Sequence, residues 1–205
     1  MNKQKFITIL GIDNSGKTTL CQSLKKTYPE ADYVSWDSED VPKNMKFLSE
    51  LKLSFPYEEI NSFNKNLRSH LLSTMIYAKK HIIETSLNKG ASVICNSYYY
   101  KLLGKELILN QGNLSIYESW KDFIQPDLII YLKISPQLSF KRSKKLNNFE
   151  YVGKKSKEGY IRFQKTLDQI LQIHSSHLPI EFIDASKKEE AVLNQANKII
   201  KKYLQ

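Results

Sequence analysis

Phe6-Ile7-Thr8-Ile9-Leu10-Gly11-Ile12-Asp13-Asn14-Ser15-Gly16-Lys17-Thr18-Thr19 runs from a short apolar segment, through a loop bounded by two glycines, into a helix-forming stretch that continues to Thr27. Gly11 to Thr18 fits the spacing GxxxxGK[ST], and it lies after a strand and before a helix, where that pattern has a physical meaning. The glycines let backbone N–H groups converge on phosphate oxygens, and the helix N-terminus adds partial positive charge. Lys17 reaches the β- and γ-phosphates, and the Thr18 hydroxyl is placed to hold Mg²⁺. Gly11, Asn14, Ser15, Gly16, Lys17, Thr18 and Thr19 are therefore read as a triphosphate cradle, with ATP and Mg²⁺ the expected occupants. No guanine-reading N-K-x-D motif follows, which argues against GTP.

Outward from the loop, strand-like and helix-like segments alternate. Tyr33 to Trp36 reads as a second strand, and Ala91 to Cys95, Leu128 to Ile134 and Ile180 to Ile183 as three more. The middle runs are near-continuously apolar, as expected of parallel strands buried on both faces. Ile60, Phe63, Leu67, Leu71, Met75, Ala78, Ile82 and Thr85 recur at three- and four-residue steps, predicting a long helix that ends at Asn88 to Gly90. Pro136 to Lys145 and Lys157 to Ile173 read as further helices, the first opened by a proline. Ala191, Val192, Ala196, Ile199 and Tyr203 give a closing helix its apolar face. The pattern predicts an α/β chain of one domain over residues 1–205, with a doubly wound, five-stranded parallel sheet and helices on both faces.

Composition agrees with that class. The 205 residues carry 41% hydrophobic side chains with seven glycines and six prolines, enough for a sizeable core and unlike a disordered or collagenous chain. The net charge of +10 comes almost wholly from 28 lysines, alongside 14 asparagines and 21 isoleucines, a bias typical of an AT-rich genome. The charge comes without a nucleic-acid recognition motif, so a nucleic-acid partner is not expected. Cys21 and Cys95 read as reduced core thiols. No run approaches the roughly 18 apolar residues of a membrane span, and the first apolar run is too short for a signal peptide. The expectation is a soluble cytoplasmic chain with no membrane partner.

Four further segments join the loop in pointing to a family. GIDNSGKTTL is similar to the G-x-[DE]-x-x-G-K-[ST]-T of the thymidylate kinase family, and NKGASVICNSY resembles its strand "x-x-G-x-x-V-I-x-D-R-Y". PDLIIYLKISPQLSFKR, KEGYIRF and FIDASKKEEAVLNQANKIIKKYL resemble three later family segments, in the family's order. The resemblance covers nearly the whole chain. It implies the P-loop NTPase fold, a short lid at about 146–156, and transfer of the ATP γ-phosphoryl group to a nucleoside monophosphate, dTMP by default. A homodimer through the long helix is also implied.

Residue by residue, the resemblance makes Lys17 the group that polarises the transferred phosphoryl and Thr18 the Mg²⁺ ligand. Asp13 takes the place of the carboxylate that meets the acceptor's 3′-hydroxyl, and Arg142 that of an arginine near the ATP base. Lys80 stands for an arginine that reads the acceptor base, keeping charge without the planar fork. Ile76, with Tyr77 adjacent, replaces the phenylalanine that stacks on thymine. At the end of the third strand the family's Asp-Arg pair is replaced by Asn96-Ser97, with Tyr98 retained. Asn96 offers metal or water a neutral oxygen, and Ser97 one hydroxyl in place of a bidentate cation.

Asn148-Phe149-Glu150 stands where an Arg-aromatic-Glu run is common, and Asp37 to Asn44 lacks the family's R-x-P-G turn. Two accounts fit these departures. Either lysines such as Lys79, Lys80, Lys101 or Lys144 take over phosphate neutralisation for a different acceptor, or catalysis is weakened and nucleotide binding remains. Lys141, Lys144, Lys145, Lys154 and Lys155 bracket the lid, where ATP contact and a solvated basic face are both open readings. Tyr98, Tyr99 and Tyr100 either flank the acceptor or pack beneath the lid. His174 and His177, three apart, have no third ligand in sight and read as surface residues.

Overall fold

Five strands pair in parallel in the order β2-β3-β1-β4-β5. They are β1 (Phe6–Leu10), β2 (Asp32–Val34), β3 (Val93–Asn96), β4 (Leu128–Lys133) and β5 (Ile180–Asp184). The computed structural model describes residues 4–35, 64–109, 113–143, 150–151 and 155–204. Central β1 meets β3 with Ile9 opposite Asn96 and β4 with Leu10 opposite Tyr131. The C-terminal ends of β1 and β3 are thus neighbours, and ligands of open α/β sheets bind beyond such ends.

The helices are α1 (Lys17–Thr27), α2 (Lys65–Asn88), α3 (Tyr100–Leu109), the single turn α4 (Leu114–Tyr117), α5 (Pro136–Arg142), α6 (Lys157–Ser175) and α7 (Glu189–Leu204), with a 3₁₀ segment at Glu118–Asp122. Their starts follow local chemistry. Asn64, Ser135 and Ser156 each accept a hydrogen bond from the backbone N–H three residues on, satisfying first-turn donors of α2, α5 and α6. α1 has no such side chain: Gly16 is its N-cap.

Alternating side chains split the core across the sheet. Phe6 and Leu10 pack with Leu72, Ile76 and Ile83 of α2 and with Phe163, Leu167 and Leu171 of α6. Ile7 and Ile9 pack on the other face with Leu20 and Leu24 of α1 and with Val192, Ala196 and Ile200 of α7. The expected doubly wound sheet is what forms.

Several bounds differ from the sequence reading. The second strand ends at Val34, with Trp36 outside the described residues, as are Ile60 and Phe63 of the apolar stripe. The third strand is Val93–Asn96 and not Ala91 to Cys95, because Val93 N–H is the first to bond across, to the Lys5 carbonyl. The helix opened by Pro136 stops at Arg142, since Ser143 is extended. α3 has no counterpart in the sequence reading.

Candidate active site

β1 delivers the chain into the loop at a crowded point. A Cβ on Gly11 would lie 2.7 Å from the Leu132 carbonyl oxygen and 2.9 Å from Ser15 Oγ, at a φ of +143°. Only glycine lets the loop leave the sheet there. The loop then leads to the uncapped N-terminus of α1, whose first-turn N–H groups have no side-chain acceptor on Gly16. Thr18 and Thr19 are exposed at that end.

Lys17 folds back over the loop. Its Nζ donates to the Ile12 carbonyl at 2.6 Å and to Ser15 Oγ at 3.2 Å. Burial and repulsion from Lys101 hold its ammonium well below the usual lysine range, against the attraction of Asp13. A buried, crowded cation of this kind is stabilised by an arriving anion.

Asp13 is the centre of the cluster. Its Oδ1 meets Lys101 Nζ at 2.5 Å, and its Oδ2 meets Lys105 Nζ at 3.1 Å and accepts from Gln164 Nε2 at 2.8 Å. Burial alone would raise its pKa, but Lys101, Lys105 and Lys17 together hold the carboxyl far below the usual carboxylate range. Asp13 N–H in turn donates to Gln164 Oε1 at 3.0 Å, and its carbonyl accepts from Ser139 Oγ at 2.7 Å. Asn14, left-handed at φ 53°, donates from Nδ2 to the Tyr160 hydroxyl, which lies 2.6 Å from Ser139 Oγ. Burial pushes that tyrosine up to about 12, so it stays a neutral hydroxyl. One helix residue on α5 and two on α6 thus clamp Asp13 and Asn14.

The end of β3 supplies the opposite wall. Ser97 N–H donates to the Ile9 carbonyl at 3.0 Å, locking the elbow to β1. Asn96 Nδ2 lies 3.4 Å from Thr18 Oγ1, and Asn96 Oδ1 accepts from Ser97 Oγ at 3.0 Å. Ser97 and Tyr98 are left-handed at φ 66° and 34°, and with Asn14 they are the non-glycine residues of positive φ among those described. Such backbone costs on the order of 1 kcal/mol or more per residue and concentrates at functional sites. Lys79, 3% exposed, donates from Nζ to the Asn96 carbonyl at 3.1 Å and so ties α2 to this elbow.

The other expected site residues fall in different places. Lys80 pairs with Glu84 on its own helix at 2.7 Å and stands over the Phe123 ring. Ile76 is wholly buried in the sheet core, and the half-exposed Tyr77 bonds through its hydroxyl to Ser119. Tyr98, Tyr99 and Tyr100 are all buried in one aromatic cluster with Trp120 and Phe123. Arg142 ends α5 and is exposed. Lys141 and Lys155 are exposed, while Lys144, Lys145, Lys154, Asn148, Phe149 and the segment Asp37 to Asn44 lie outside the described residues. His174 and His177 are exposed, the second beyond the end of α6, and no cluster of three metal-ligating side chains occurs among the described residues.

Sequence reasoning missed Gln164, Tyr160, Ser139 and Lys105. A glutamine at a core-facing helix position was the one available signal.

The exposed Thr18 hydroxyl offers one neutral oxygen, while Asn96 turns its Nδ2 toward that hydroxyl and its Oδ1 toward Ser97 Oγ. The hydroxyl fits a Mg²⁺ that keeps most of its shell as water and phosphate oxygen, and it does not form a closed protein cage.

Comparison with known proteins gives the family and the fold. The family model described as thymidylate kinase matches residues 9–196. Thymidylate kinases of Francisella philomiragia and Buchnera aphidicola are 26% and 27% identical, over 97% and 96% of this chain and 98% and 100% of theirs. The solved thymidylate kinase of Candida albicans superposes with a TM-score of 0.72 at 20% identity, covering 99% of this chain and 94% of that one. A deoxyadenosine kinase of M. mycoides, solved with bound dATP, reaches 0.56 at 17% identity over 97% and 100%.

Proposed function

The chain belongs to the thymidylate kinase family, and on that premise we propose that it is a nucleotide kinase that phosphorylates dTMP with ATP at the Gly11–Thr18 loop. The observation that carries the reading is this loop, strained into place between β1 and an uncapped α1, in a chain matched to the family from residue 9 to residue 196.

In the proposed reaction an oxygen of the acceptor phosphate attacks the γ-phosphorus of ATP, and the bond to the β-γ bridging oxygen breaks to release ADP. Little covalent work falls to the protein, so catalysis is positioning and charge stabilisation. Backbone N–H groups of Gly11, Asn14, Ser15 and Gly16, with Thr19, cradle the triphosphate. Lys17 leaves its contact with the Ile12 carbonyl for the transferring phosphoryl, where its charge is matched by developing negative charge. The Thr18 hydroxyl would hold Mg²⁺, which would neutralise phosphate charge when bound, and Asn96 supports that hydroxyl from the end of β3. Asp13 orients the acceptor, and Ser97 meets it at the β3 elbow. Lys80, Ile76 and Tyr98 act through the walls behind the acceptor and Arg142 from the rim near the ATP base.

We further assign residues 1–205 to one kinase domain in the cytoplasm, with a lid at about 146–156 and a homodimer formed through α2. No helix among the described residues is long and apolar enough to cross a membrane.

The test is ADP release with Mg-ATP across the ribo- and deoxynucleoside monophosphates and thymidine. Turnover with dTMP well above every other acceptor is the expected result. Turnover confined to a different acceptor, or ATP binding with none at all, would overturn the reading.

A further inference from the structure

Three ammonium groups, those of Lys17, Lys101 and Lys105, surround the single carboxylate of Asp13. Lys101 and Lys105 are one helical turn apart, so both project from the same face of α3. α3 begins directly after the β3 elbow, so Lys101 stands one turn beyond Ser97, which brings a hydroxyl and no charge of its own. Neither lysine is sealed off: Lys101 is 21% and Lys105 14% exposed. Glu150 also acts on Lys105, which leaves three positive charges against two negative ones. An ammonium group has three donors, and each of these lysines spends one on Asp13, so both keep donors for a second anion.

The charge is also unbalanced in its effects. Lys105 is held below the usual lysine range by burial and by Lys101, despite the pull of Asp13 and Glu150. Lys101 also repels the Lys17 ammonium, which burial holds below the usual lysine range. Such a group of cations is relieved by an arriving dianion. The triphosphate already has the loop amides, α1 and Lys17.

We propose that Lys101 and Lys105 of α3 bind the phosphoryl group of the acceptor nucleoside monophosphate, sharing their ammonium donors between it and Asp13. The assignment rests on the kinase reading above. The two lysines supply the charge that Ser97 does not, and they come from the next two turns of chain instead of from the elbow. The buried ion pair of Arg68 with Glu106, on the residue after Lys105, fastens α3 to α2 and so sets where the two ammonium groups stand.

The test compares wild type with Lys101→Met, Lys105→Met and the double variant in steady-state kinetics with dTMP and Mg-ATP. Thymidine, which lacks the phosphate, is included as a competing ligand. The expected result is a rise in KM for dTMP of about tenfold for each variant and about 100-fold for the pair. KM for ATP and the inhibition constant of thymidine should stay within about twofold, since neither carries the acceptor phosphate. An unchanged KM for dTMP, or a rise in KM for ATP instead, would overturn the assignment while leaving the kinase reading intact. Wild type that phosphorylates no nucleoside monophosphate would remove both. Should the double variant lose ATP binding through misfolding, Lys101→Gln and Lys105→Gln, each with a single charge removed, read the same ratio of dTMP to thymidine affinity.

Discussion

Asp13 and Gln164, far apart in the chain, exchange two hydrogen bonds: the Asp13 N–H donates to Gln164 Oε1 at 3.0 Å, and Gln164 Nε2 donates to Asp13 Oδ2 at 2.8 Å. The pair fixes both the backbone and the carboxylate of one loop residue to the middle of α6. A buried amide in this position has no water to turn to if its partner is removed, which makes the contact a structural support of the loop.

Gln164→Leu is therefore expected to destabilise the fold by about 1–3 kcal/mol in urea unfolding, the cost of a buried donor left unmet. It should also raise KM for ATP, because the loop loses its anchor. Unchanged stability together with unchanged KM would show that Ser139 and Tyr160 hold the loop without it.

Gly11→Ala tests the crowding at the sheet exit. The added Cβ meets the Leu132 carbonyl oxygen at 2.7 Å in a backbone conformation that side chains rarely adopt. A stability loss of about 1–3 kcal/mol from backbone strain, with loss of ATP binding, is the expected outcome. Calorimetry showing an unshifted melting temperature would contradict it.

The Arg68–Glu106 pair is buried on both sides, and the Tyr117 hydroxyl also donates to Glu106 Oε2 at 3.2 Å. Glu106→Ala removes the carboxylate that pairs with the buried Arg68 guanidinium and should cost about 3–5 kcal/mol. The double variant Arg68→Met with Glu106→Leu should recover most of that loss, because the pair's own desolvation cost disappears with it. A double variant no more stable than the single one would show that Arg68 is held mainly by other neighbours.

Lys105 gives a pH dependence whose sign can be worked out. Its folded-state pKa is lowered, chiefly by burial, while the unfolded lysine titrates near about 10.4. Between those values the native state binds fewer protons than the unfolded one, so this group makes stability rise with pH. Below the folded pKa both states are protonated and the penalty is fully present. Lys105→Met should flatten the rise on the acid side of about 10, read as the difference in unfolding free energy from wild type. A difference that does not change with pH would mean that Lys105 is not held low by its surroundings.

The fold was largely legible because its signals are local. Phe6–Leu10 and Leu128–Lys133 are apolar runs bounded by turn residues, and the loop motif between strand and helix admits few structures. α3 escaped because Tyr-Lys-Leu-Leu-Gly-Lys-Glu-Leu-Ile-Leu has a glycine at its centre, which reads as a breaker. In the structure that glycine is a contact: a Cβ on Gly104 would lie 2.8 Å from Leu167 Cδ1, so its absence lets α3 approach α6 closely.

The site was legible where a motif names its residues and opaque where partners meet from distant segments. Nothing in Lys157–Ser175 points Gln164 at Asp13, and nothing near Lys105 points it there either. Lys79 and Lys80 differ by one residue, or about 100° around the helix. That step turns the first toward the Asn96 carbonyl and the second toward Glu84.

The most direct measurement of the central claim follows label from γ-³²P-ATP into dTDP, in wild type and Lys17→Ala side by side. The account predicts labelled dTDP from wild type and a rate about 10³-fold lower or less from Lys17→Ala, with the two proteins equally folded by circular dichroism. No labelled dTDP from wild-type protein that binds ATP, or equal rates from the two proteins, would contradict it.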